Sequence, residues 1–439
     1  MSQRSVDTST ADLHAEIVIV GGGAGGLELA ARLGRRIGRR HGPGRVLLID
    51  RAALHIWKPT LHEVAAGTLN AHAEGLSYAM LARRNHFSFA LGTLCGLDAA
   101  ARRLSLAPID DETGGNVAPR RTAGYDRLVL ALGCGSNFFG TPGASEYAHV
   151  LESADDAERF HHRLLDGFMR AAFSKDKLLR LAIVGGGATG VELAAELLEA
   201  HEEARQSVSP SLRFALEVAI VEAAPRILSG LPERISEQAT RALRQRRIKV
   251  LSGTKVLEVR RGALITSAGE LSADIIVWAA GIKAAHDNAA LGLRVNRANQ
   301  IVVDDRLDTG APGVYALGDC AACPWRDGHP VPARAQAAHQ QADYLAGVLL
   351  GAAAGRPAAK PFVYRDFGSL VSLGENRGVG NLMGSLSGRS FFVDGLIAKW
   401  MYMSLHLMHH RAILGVRATA VLALARLLQR RISGRVKLH

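Results

Sequence analysis

The sequence predicts an α/β protein with two Rossmann-like dinucleotide-binding domains followed by amphipathic C-terminal helices. Three observations predict this. A pattern of buried strand, glycine loop and helix occurs twice. Each copy is followed by another β-run that ends in an acidic residue. The segment 395–439 then mixes apolar residues with basic ones and contains no acidic residue. Paired units of this kind favour two bound dinucleotides in one chain.

The first glycine loop follows the β-run 17–20. Gly21 makes the turn, Gly23 lets a pyrophosphate approach the backbone, and Gly26 allows the helix to pack on the strand. The N-terminus of that helix presents free N–H groups to the phosphates. Asp50 ends the next β-run, where a ribose hydroxyl needs an acceptor. The context makes this loop a stronger signal than an isolated glycine motif.

The second loop repeats the pattern with Gly185, Gly187 and Gly190, and its acidic residue is Glu222. Both copies keep all three glycines and the acid. The simplest interpretation is one flavin and one nicotinamide dinucleotide. The alternative, that one copy is a structural relic, receives no support from the residues themselves.

Length and composition fit several domains. The chain has 439 residues, 48% of them hydrophobic. We set the predicted boundaries at 15–151 and 286–381 for the two parts of a first domain, at 152–285 for a second domain, and at 382–439 for the C-terminal region. Residues 1–16 lack the apolar core of a signal peptide, and no apolar run reaches the length of a membrane span. Four scattered cysteines fit a reducing compartment.

The stretch from His55 to Gly67 contains Lys58 and His62 but no cysteine pair. Enzymes that reduce disulfides through a flavin often carry such a pair here, so this chain would pass electrons directly to an acceptor. Lys58 is a candidate cofactor contact. An ordinary surface loop is the alternative for Lys58 and His62.

Two further strands run into glycines that suit crossovers between domains, Gly133 and Gly281. A third strand delivers Asp319 directly after Gly318. That carboxylate could accept a hydrogen bond from a hydroxyl of the sugar chain. Placed after two glycine loops, these residues are predicted to contact the cofactors.

Cys320 and Cys323 have the spacing of a redox dithiol or of half a metal site. A second cysteine pair is missing from the sequence. Structural thiols are therefore favoured and no metal is predicted. The redox alternative is a soluble FAD-dependent NADH:disulfide or peroxide reductase using these two thiols.

Gln336 and Gln340 lie four residues apart and so share one helix face. Two neutral amides on one face can hold a carbonyl group without adding charge. Two solvated glutamines are the alternative.

The C-terminal segment 395–439 carries eight of the basic residues behind the net charge of +12. Ile413, Leu414, Val421, Leu424 and Leu428 are predicted to form one apolar helix face. With basic residues and aromatic residues beside it, such a face is typical of helices that lie in a membrane surface. A dimer interface or a core helix is the alternative, and the apolar content argues against nucleic acid.

Three histidines of the same segment, His406, His409 and His410, are interpreted as surface residues on the basic face rather than as metal ligands.

Together these residues resemble the type II NADH:quinone oxidoreductases, single-subunit enzymes that do not pump protons and that share the paired-dinucleotide layout of the disulfide reductases. The segments that carry the resemblance are 20–28, 57–59, 61–64, 182–193, 278–283, 318–321, 334–340, 368–373 and 437–439.

The resemblance implies non-covalent FAD on the first glycine loop with Asp50 and Asp319, and NADH on the second loop with Glu222. It implies a quinone near Gln336 and Gln340 and places Glu192 between the nicotinamide and quinone sites.

Glu192 and His339 become candidate proton relays in such an enzyme. The implied location is the cytoplasmic face of the bacterial inner membrane, as a peripheral protein that could form a homodimer. The sequence does not choose among ubiquinone, menaquinone and other acceptors. A non-catalytic redox sensor that binds dinucleotide and docks on membranes is an alternative.

Overall fold

Two β-sheets, each containing a strand that runs into a glycine loop, form the framework of the computed structural model. The structure describes residues 13–111, 114–284, 287–326, 328–356, 360–374, 378–383 and 390–432. Within these ranges, side chains are not described at 72, 73, 378–383, 390–403, 405, 426, 427 and 429–432.

The residues that the structure describes up to 173 form eleven strands and seven α-helices. The strands are β1 (Leu13–Val20), β2 (Val46–Asp50), β3 (Leu54–His55), β4 (Leu76–Ser77), β5 (Ser88–Leu91), β6 (Leu94–Asp98), β7 (Arg103–Leu106), β8 (Ile109–Asp110), β9 (Asn116–Ala118), β10 (Arg121–Leu130) and β11 (Cys134–Ser136). The helices are α1 (Ala24–Ile37), α2 (Gly42–Arg45), α3 (Leu61–Ala66), α4 (Ala71–Glu74), α5 (Tyr78–Asn85), α6 (Ala144–Tyr147) and α7 (Ala154–Phe173).

These strands build a sheet in the order β5-β2-β1-β10-β7-β6. The strands β5, β2, β1 and β10 are parallel, and β7 and β6 continue the sheet as an antiparallel meander. The buried parts of the central strands are unbroken apolar runs, at 17–20 in β1, 46–49 in β2 and 128–130 in β10.

The middle of the chain forms the second sheet. Its elements are β12 (Leu178–Val184), α8 (Ala188–Ser207), β13 (Ala215–Glu222), α9 (Glu233–Gln245), β14 (Lys249–Ser252), β15 (Val256–Arg260), β16 (Ala263–Thr266), β17 (Gly269–Ser272), β18 (Ile275–Trp278) and β19 (Ile282–Ala284). The order β14-β13-β12-β18 is parallel throughout, and β15, β16 and β17 form a separate antiparallel meander.

The chain then returns to the first sheet. The elements of this part are β20 (Ile301–Val302), β21 (Val314–Ala316), β22 (Ala321–Ala322) and α10 (Ala335–Ala353). The strand β21 pairs with β10 in parallel, so residues from the second half of the chain complete the first sheet. The two crossover strands β11 and β19 pair with each other between the sheets. The domain boundaries at 151, 285 and 381 stay predictions.

The C-terminal region contains β23 (Gly368–Ser372), β24 (Gly378–Met383), β25 (Ser390–Asp394), α11 (Gly395–Leu414) and α12 (Val416–Ile432). The predicted single apolar face over 413–428 is wrong. Gly415 separates the two helices at φ 78°. Ile413 and Leu414 are buried in the core of the first sheet, whereas Val421, Leu424 and Leu428 on α12 are exposed. Among the described residues, no helix is both long and apolar enough to cross a membrane.

Candidate functional site

The two glycine loops are built alike down to their hydrogen bonds. The N–H of Gly22 donates to Asp50 Oδ2 at 2.5 Å, and the N–H of Gly186 donates to Glu222 Oε2 at 2.6 Å. The other oxygen of each carboxylate accepts from the backbone two residues further on, at Ala52 and Ala224. The acidic residue after each glycine loop therefore clamps that loop. This duplication confirms the paired architecture inferred from the sequence.

Each loop leaves open space beside the second glycine of its motif, Gly23 or Gly187. A Cβ on Gly23 or Gly187 would meet no atom within 4 Å. By contrast, a Cβ on Gly26 would come within 1.9 Å of the Gly21 carbonyl oxygen, and one on Gly190 within 2.1 Å of the Gly185 carbonyl oxygen. Each loop therefore has open space next to a helix N-terminus, and it has no room for a side chain at Gly26 or Gly190. This combination fits a dinucleotide pyrophosphate.

The predicted contacts around Gly133 come together at the first crossover. Lys58 Nζ donates to the Cys134 carbonyl oxygen at 2.6 Å, and Cys134 Sγ donates to Asp319 Oδ2 at 3.1 Å. Burial and the charge of Asp319 raise the pKa of Cys134 to about 12, so this thiol stays protonated. Gly281 begins the matching crossover, where β19 pairs with β11. Lys58, Gly133 and Asp319 thus share one place in the fold.

A cluster of buried acids lies where α3 of the first part packs on α8 of the second. Glu192 is 7% exposed and accepts a hydrogen bond from the N–H of Ser372 at 3.1 Å. Burial, reinforced by Glu63 and Glu196, raises the pKa of Glu192 to about 8. Burial likewise raises the pKa of Glu196 to about 8, although Thr68 donates to it at 3.0 Å. Both carboxyls are mostly protonated at neutral pH.

His62 faces this cluster from α3. Its Nδ1 lies 3.7 Å from Glu192 Oε2, within ion-pair distance. Burial lowers the pKa of His62 to about 4, however, so at neutral pH the contact joins a neutral imidazole to a protonated carboxyl. The surface-loop interpretation of His62 is wrong, because the residue is 3% exposed. Lys58, in contrast, is exposed.

Gln336 and Gln340 share a face of α10, as predicted, but their amides are already engaged. Gln336 Nε2 donates to the Gly368 carbonyl oxygen at 2.9 Å, and Gln336 Oε1 accepts from the N–H of Phe367. Gln340 Nε2 donates to the Arg365 carbonyl oxygen at 2.8 Å and Oε1 accepts from the same residue. Together they fix the segment 365–368 against α10.

The described hydrogen bonds and ion pairs of His339 do not include Glu192 or Glu196. Its Nδ1 lies 2.5 Å from Glu28 Oε2, and its ring nitrogens lie 3.5 Å from Arg32. The two residues predicted to relay protons therefore belong to different groups of side chains.

Cys320 and Cys323 are buried free thiols. Burial raises the pKa of Cys320 to about 11 and that of Cys323 to about 12. A thiol that is buried and protonated is a poor nucleophile, which argues against the disulfide-reductase alternative. Among the described residues, no group of three or more potential ligands could hold a metal ion.

Sequence reasoning missed Glu196, Thr68 and Cys134 as parts of the site. The helical spacing of Glu192 and Glu196 was a usable signal, since residues four apart share a face. The contact between Cys134 and Asp319 joins residues 185 positions apart and left no local signal.

Comparison with known proteins agrees with this geometry. Residues 15–342 match the family described as pyridine nucleotide-disulphide oxidoreductase. A type II NADH:quinone oxidoreductase of Haemophilus influenzae is 38% identical over 96% of this chain and 99% of that protein. The type II NADH:quinone oxidoreductase Ndh of Mycobacterium tuberculosis is 28% identical over 93% of this chain and 87% of its own length.

Solved structures show the same fold. The structure of NDH2 from Plasmodium falciparum in complex with NADH superposes with a TM-score of 0.78 at 18% identity, covering 96% of this chain and 99% of that one. The sulfide:quinone oxidoreductase from Aquifex aeolicus gives a TM-score of 0.71 at 16% identity, covering 96% of both chains. Paired glycine loops, buried glutamates and a relative this similar over its whole length lead to one conclusion: the chain belongs to the type II NADH:quinone oxidoreductases.

Proposed function

We propose that this protein oxidises NADH with bound FAD and reduces a quinone at a membrane surface, without pumping protons. The observation that carries the proposal is the pair of glycine loops in one chain. Each loop is open at its second motif glycine, Gly23 or Gly187, and is held by a carboxylate. Two buried, protonated thiols make the reductase that would use Cys320 and Cys323 the weaker candidate.

FAD and NADH occupy separate loops in this proposal. The residues assigned to FAD are Gly21, Gly23, Gly26, Asp50, Lys58, Gly133 and Asp319. Those assigned to NADH are Gly185, Gly187, Gly190, Glu222 and Gly281. A flavin bound by the first set of residues would supply the redox chemistry between NADH and the quinone. The protein positions both dinucleotides through its backbone N–H groups and the two carboxylate clamps.

Gln336 and Gln340 are placed at the quinone site as positioning residues. By holding the segment 365–368 through both ends of their amides, they fix the wall beside which the quinone would lie. Phe367 in that segment is 51% exposed and offers an apolar surface for a quinone ring.

Protons must accompany the electrons, because reduction of a quinone consumes two of them. Glu192 is the donor we assign, since its carboxyl is protonated and buried beside the segment that follows Phe367. His339 is assigned a secondary relay role on α10, nearer to solvent, with its side chain 31% exposed.

The direct test follows the flavin absorbance of the purified, lipid-supplemented protein. NADH should bleach the flavin, and a short-chain quinone should restore it through many turnovers. Reoxidation by thiols or peroxide but not by quinone would refute the proposal in favour of the reductase alternative.

The carboxylate of Glu222 should make NADH a better substrate than NADPH, because a negative charge at this position repels a 2′-phosphate. We expect kcat/KM to favour NADH by at least about tenfold and Glu222→Gln to narrow that ratio, since the amide removes the repulsion. Steady-state rates with NADH and with NADPH measure the ratio of the two kcat/KM values. Equal kcat/KM values for the wild-type protein would contradict the assignment.

Membrane association rests on α12. Val421, Leu424 and Leu428 are 69%, 57% and 52% exposed, and their spacing places them on one helix face. The segment 395–439 contains basic but no acidic residues, which suits an anionic lipid surface. We propose that this face lies in the cytoplasmic leaflet of the bacterial inner membrane. A homodimer is a second possible use of the same face.

Removing the whole segment 395–439 would not test this cleanly, because Ile413 and Leu414 belong to the core of the first sheet. We expect the substitutions V421E, L424E and L428E together to lower binding to anionic vesicles about a thousandfold or more, since each of the three buried apolar side chains contributes roughly 1.5–3 kcal/mol. Co-sedimentation at high salt measures the loss. Flavin reduction by NADH should not change.

A matched control places two glutamates on α7 instead, at Met169 and Phe173, which are 60% and 69% exposed. These changes should leave vesicle binding intact. Unaltered sedimentation of the α12 variant would refute the lipid assignment, and a loss of dimers would favour the other interface.

A further inference from the structure

Three helices meet at the buried carboxylate of Glu28 on α1, which is 1% exposed. Its Oε1 accepts from His409 Nδ1 of α11 at 2.8 Å. Its Oε2 lies 2.5 Å from His339 Nδ1 of α10 and 3.3 Å from Arg32 Nη2. Burial raises the pKa of Glu28, but the hydrogen bonds from the two histidines outweigh this and bring it to about 2, so the carboxylate is ionised.

The contact continues from His409 to the first glycine loop. His409 Nε2 lies 2.8 Å from His55 Nε2, and His55 Nδ1 lies 3.0 Å from the Gly22 carbonyl oxygen. Tyr78 also donates to that carbonyl, at 2.7 Å. His55 and His409 are both 4% exposed, so the chain of contacts is shielded from water. The prediction that His409 and His410 are surface histidines is therefore wrong.

The direction of each hydrogen bond follows from donor counting. A carbonyl oxygen only accepts, so His55 Nδ1 carries the proton toward Gly22. Burial, together with the charge of His409, holds the pKa of His55 well below its usual value, so its Nε2 is an acceptor. His409 must then donate from both nitrogens, to His55 and to Glu28. The network thus links the buried carboxylate of Glu28 to the loop carbonyl through two histidine rings.

The C-terminal end of α11 is held on the same surface. The last carbonyl oxygens of α11 accept hydrogen bonds from side chains of α1 and α5. Positively charged side chains at the C-terminal end of a helix stabilise it. The pairs are Arg35 Nη2 with Ala412 at 2.5 Å, Asn85 Nδ2 with Ile413 at 2.9 Å, and Arg84 Nη2 with Leu414 at 2.8 Å. The helix α12, with its exposed apolar face, follows directly after Gly415.

We propose that Glu28, His409 and His55 are positioning residues through which α11 holds the FAD-binding glycine loop in shape, so that FAD retention is coupled to the seating of the membrane-associated helices. The loop residue Gly22 is fixed from both sides, its N–H by Asp50 and its carbonyl by His55 and Tyr78. Losing the His409 contact would leave His55 Nε2 without its partner and weaken one of the two hydrogen bonds that hold the loop carbonyl. The inference rests on the proposed FAD site at the first loop.

The test measures release of FAD from the holoenzyme by the rise in flavin fluorescence after dilution. We expect His409→Asn and the near-isosteric Glu28→Gln each to speed release about tenfold or more, as expected for losing a hydrogen bond to a buried charged group. His410→Asn is the matched control. His410 is the next residue, is 3% exposed, and bonds through Nδ1 to the His406 carbonyl oxygen of its own helix.

The rate of FAD release is also measured with vesicles of phosphatidylglycerol and phosphatidylethanolamine. If these residues only stabilised the fold, vesicles would not change that rate. If helix seating and FAD binding are coupled, vesicles should slow FAD release from the wild-type protein and from His410→Asn, but not from His409→Asn. Should His409→Asn fail to fold, Glu28→Gln decides on the same readouts.

Wild-type release rates in His409→Asn or Glu28→Gln, or equal acceleration in His410→Asn, would overturn the proposal. A lack of any vesicle effect on the wild-type protein would overturn it as well. If FAD does not bind at the first glycine loop, the result is different: Gly23→Val would then retain as much FAD as the wild-type protein.

Discussion

Glu192→Gln is expected to lower turnover with quinone by about 100-fold or more, in the range that proton transfer by a positioned side chain contributes. Gln has nearly the same shape and can still accept from the N–H of Ser372, so packing should survive. What it lacks is a proton to give. Reduction of the flavin by NADH alone should keep its wild-type rate, because that half of the reaction needs no proton from Glu192.

The pH profile gives the sign of the effect. With a pKa of about 8, Glu192 is about nine-tenths protonated at pH 7 and loses the proton as pH rises through the pKa. Wild-type turnover should therefore fall above about pH 8, and the variant should lack that decline. The groups that face Glu192 are His62, Glu63 and Glu196. His62, with a pKa of about 4, stays neutral in this window, whereas Glu196 titrates with Glu192.

Glu196→Gln is the matched control. It removes an acid one turn along α8 that is less buried than Glu192 and whose hydrogen bond is to Thr68 rather than to Ser372. Turnover at pH 7 should stay within about threefold of wild type. Because Glu196 raises the pKa of Glu192, the decline should move to lower pH. Full quinone turnover in Glu192→Gln would remove Glu192 from the mechanism.

The glycine loops could be predicted from the sequence because everything that defines them is local. The turn, the close approach of helix to strand and the acid at the end of the next strand all lie within a few dozen residues, and each demands particular residue types. For the same reason the exits at Gly133 and Gly281 were visible as strands that run into glycine. The structure pairs the strands that follow them.

The helix α11 could not be interpreted this way. His409 bonds to a carboxylate 381 positions earlier in the chain and to an imidazole 354 positions earlier. A histidine in a basic, apolar stretch gives no sign of such partners. Periodicity also failed across Gly415, because a helical pattern continues in phase only while the helix does, and φ 78° ends it there.

Gly187→Val should raise the KM for NADH by about tenfold to a hundredfold while leaving FAD content unchanged. The backbone at Gly187, with φ −73° and ψ −176°, is extended and suits any residue. A Cβ there meets no protein atom within 4 Å, so the fold should tolerate valine. The new methyl groups would occupy the space assigned to the pyrophosphate, and crowding of this kind costs roughly 1–3 kcal/mol.

Gly23→Val makes the mirror-image change in the first loop, where a Cβ also meets nothing. It should lose FAD on purification yet still bind NADH, measured by titration of the apoprotein. Gly347→Val on α10, another position with open space, should alter neither. If Gly187→Val lost FAD while Gly23→Val lost NADH, the two loops would have to exchange roles. Retention of both cofactors in both variants would mean that the pyrophosphates bind elsewhere, because no other feature of the fold would be disturbed.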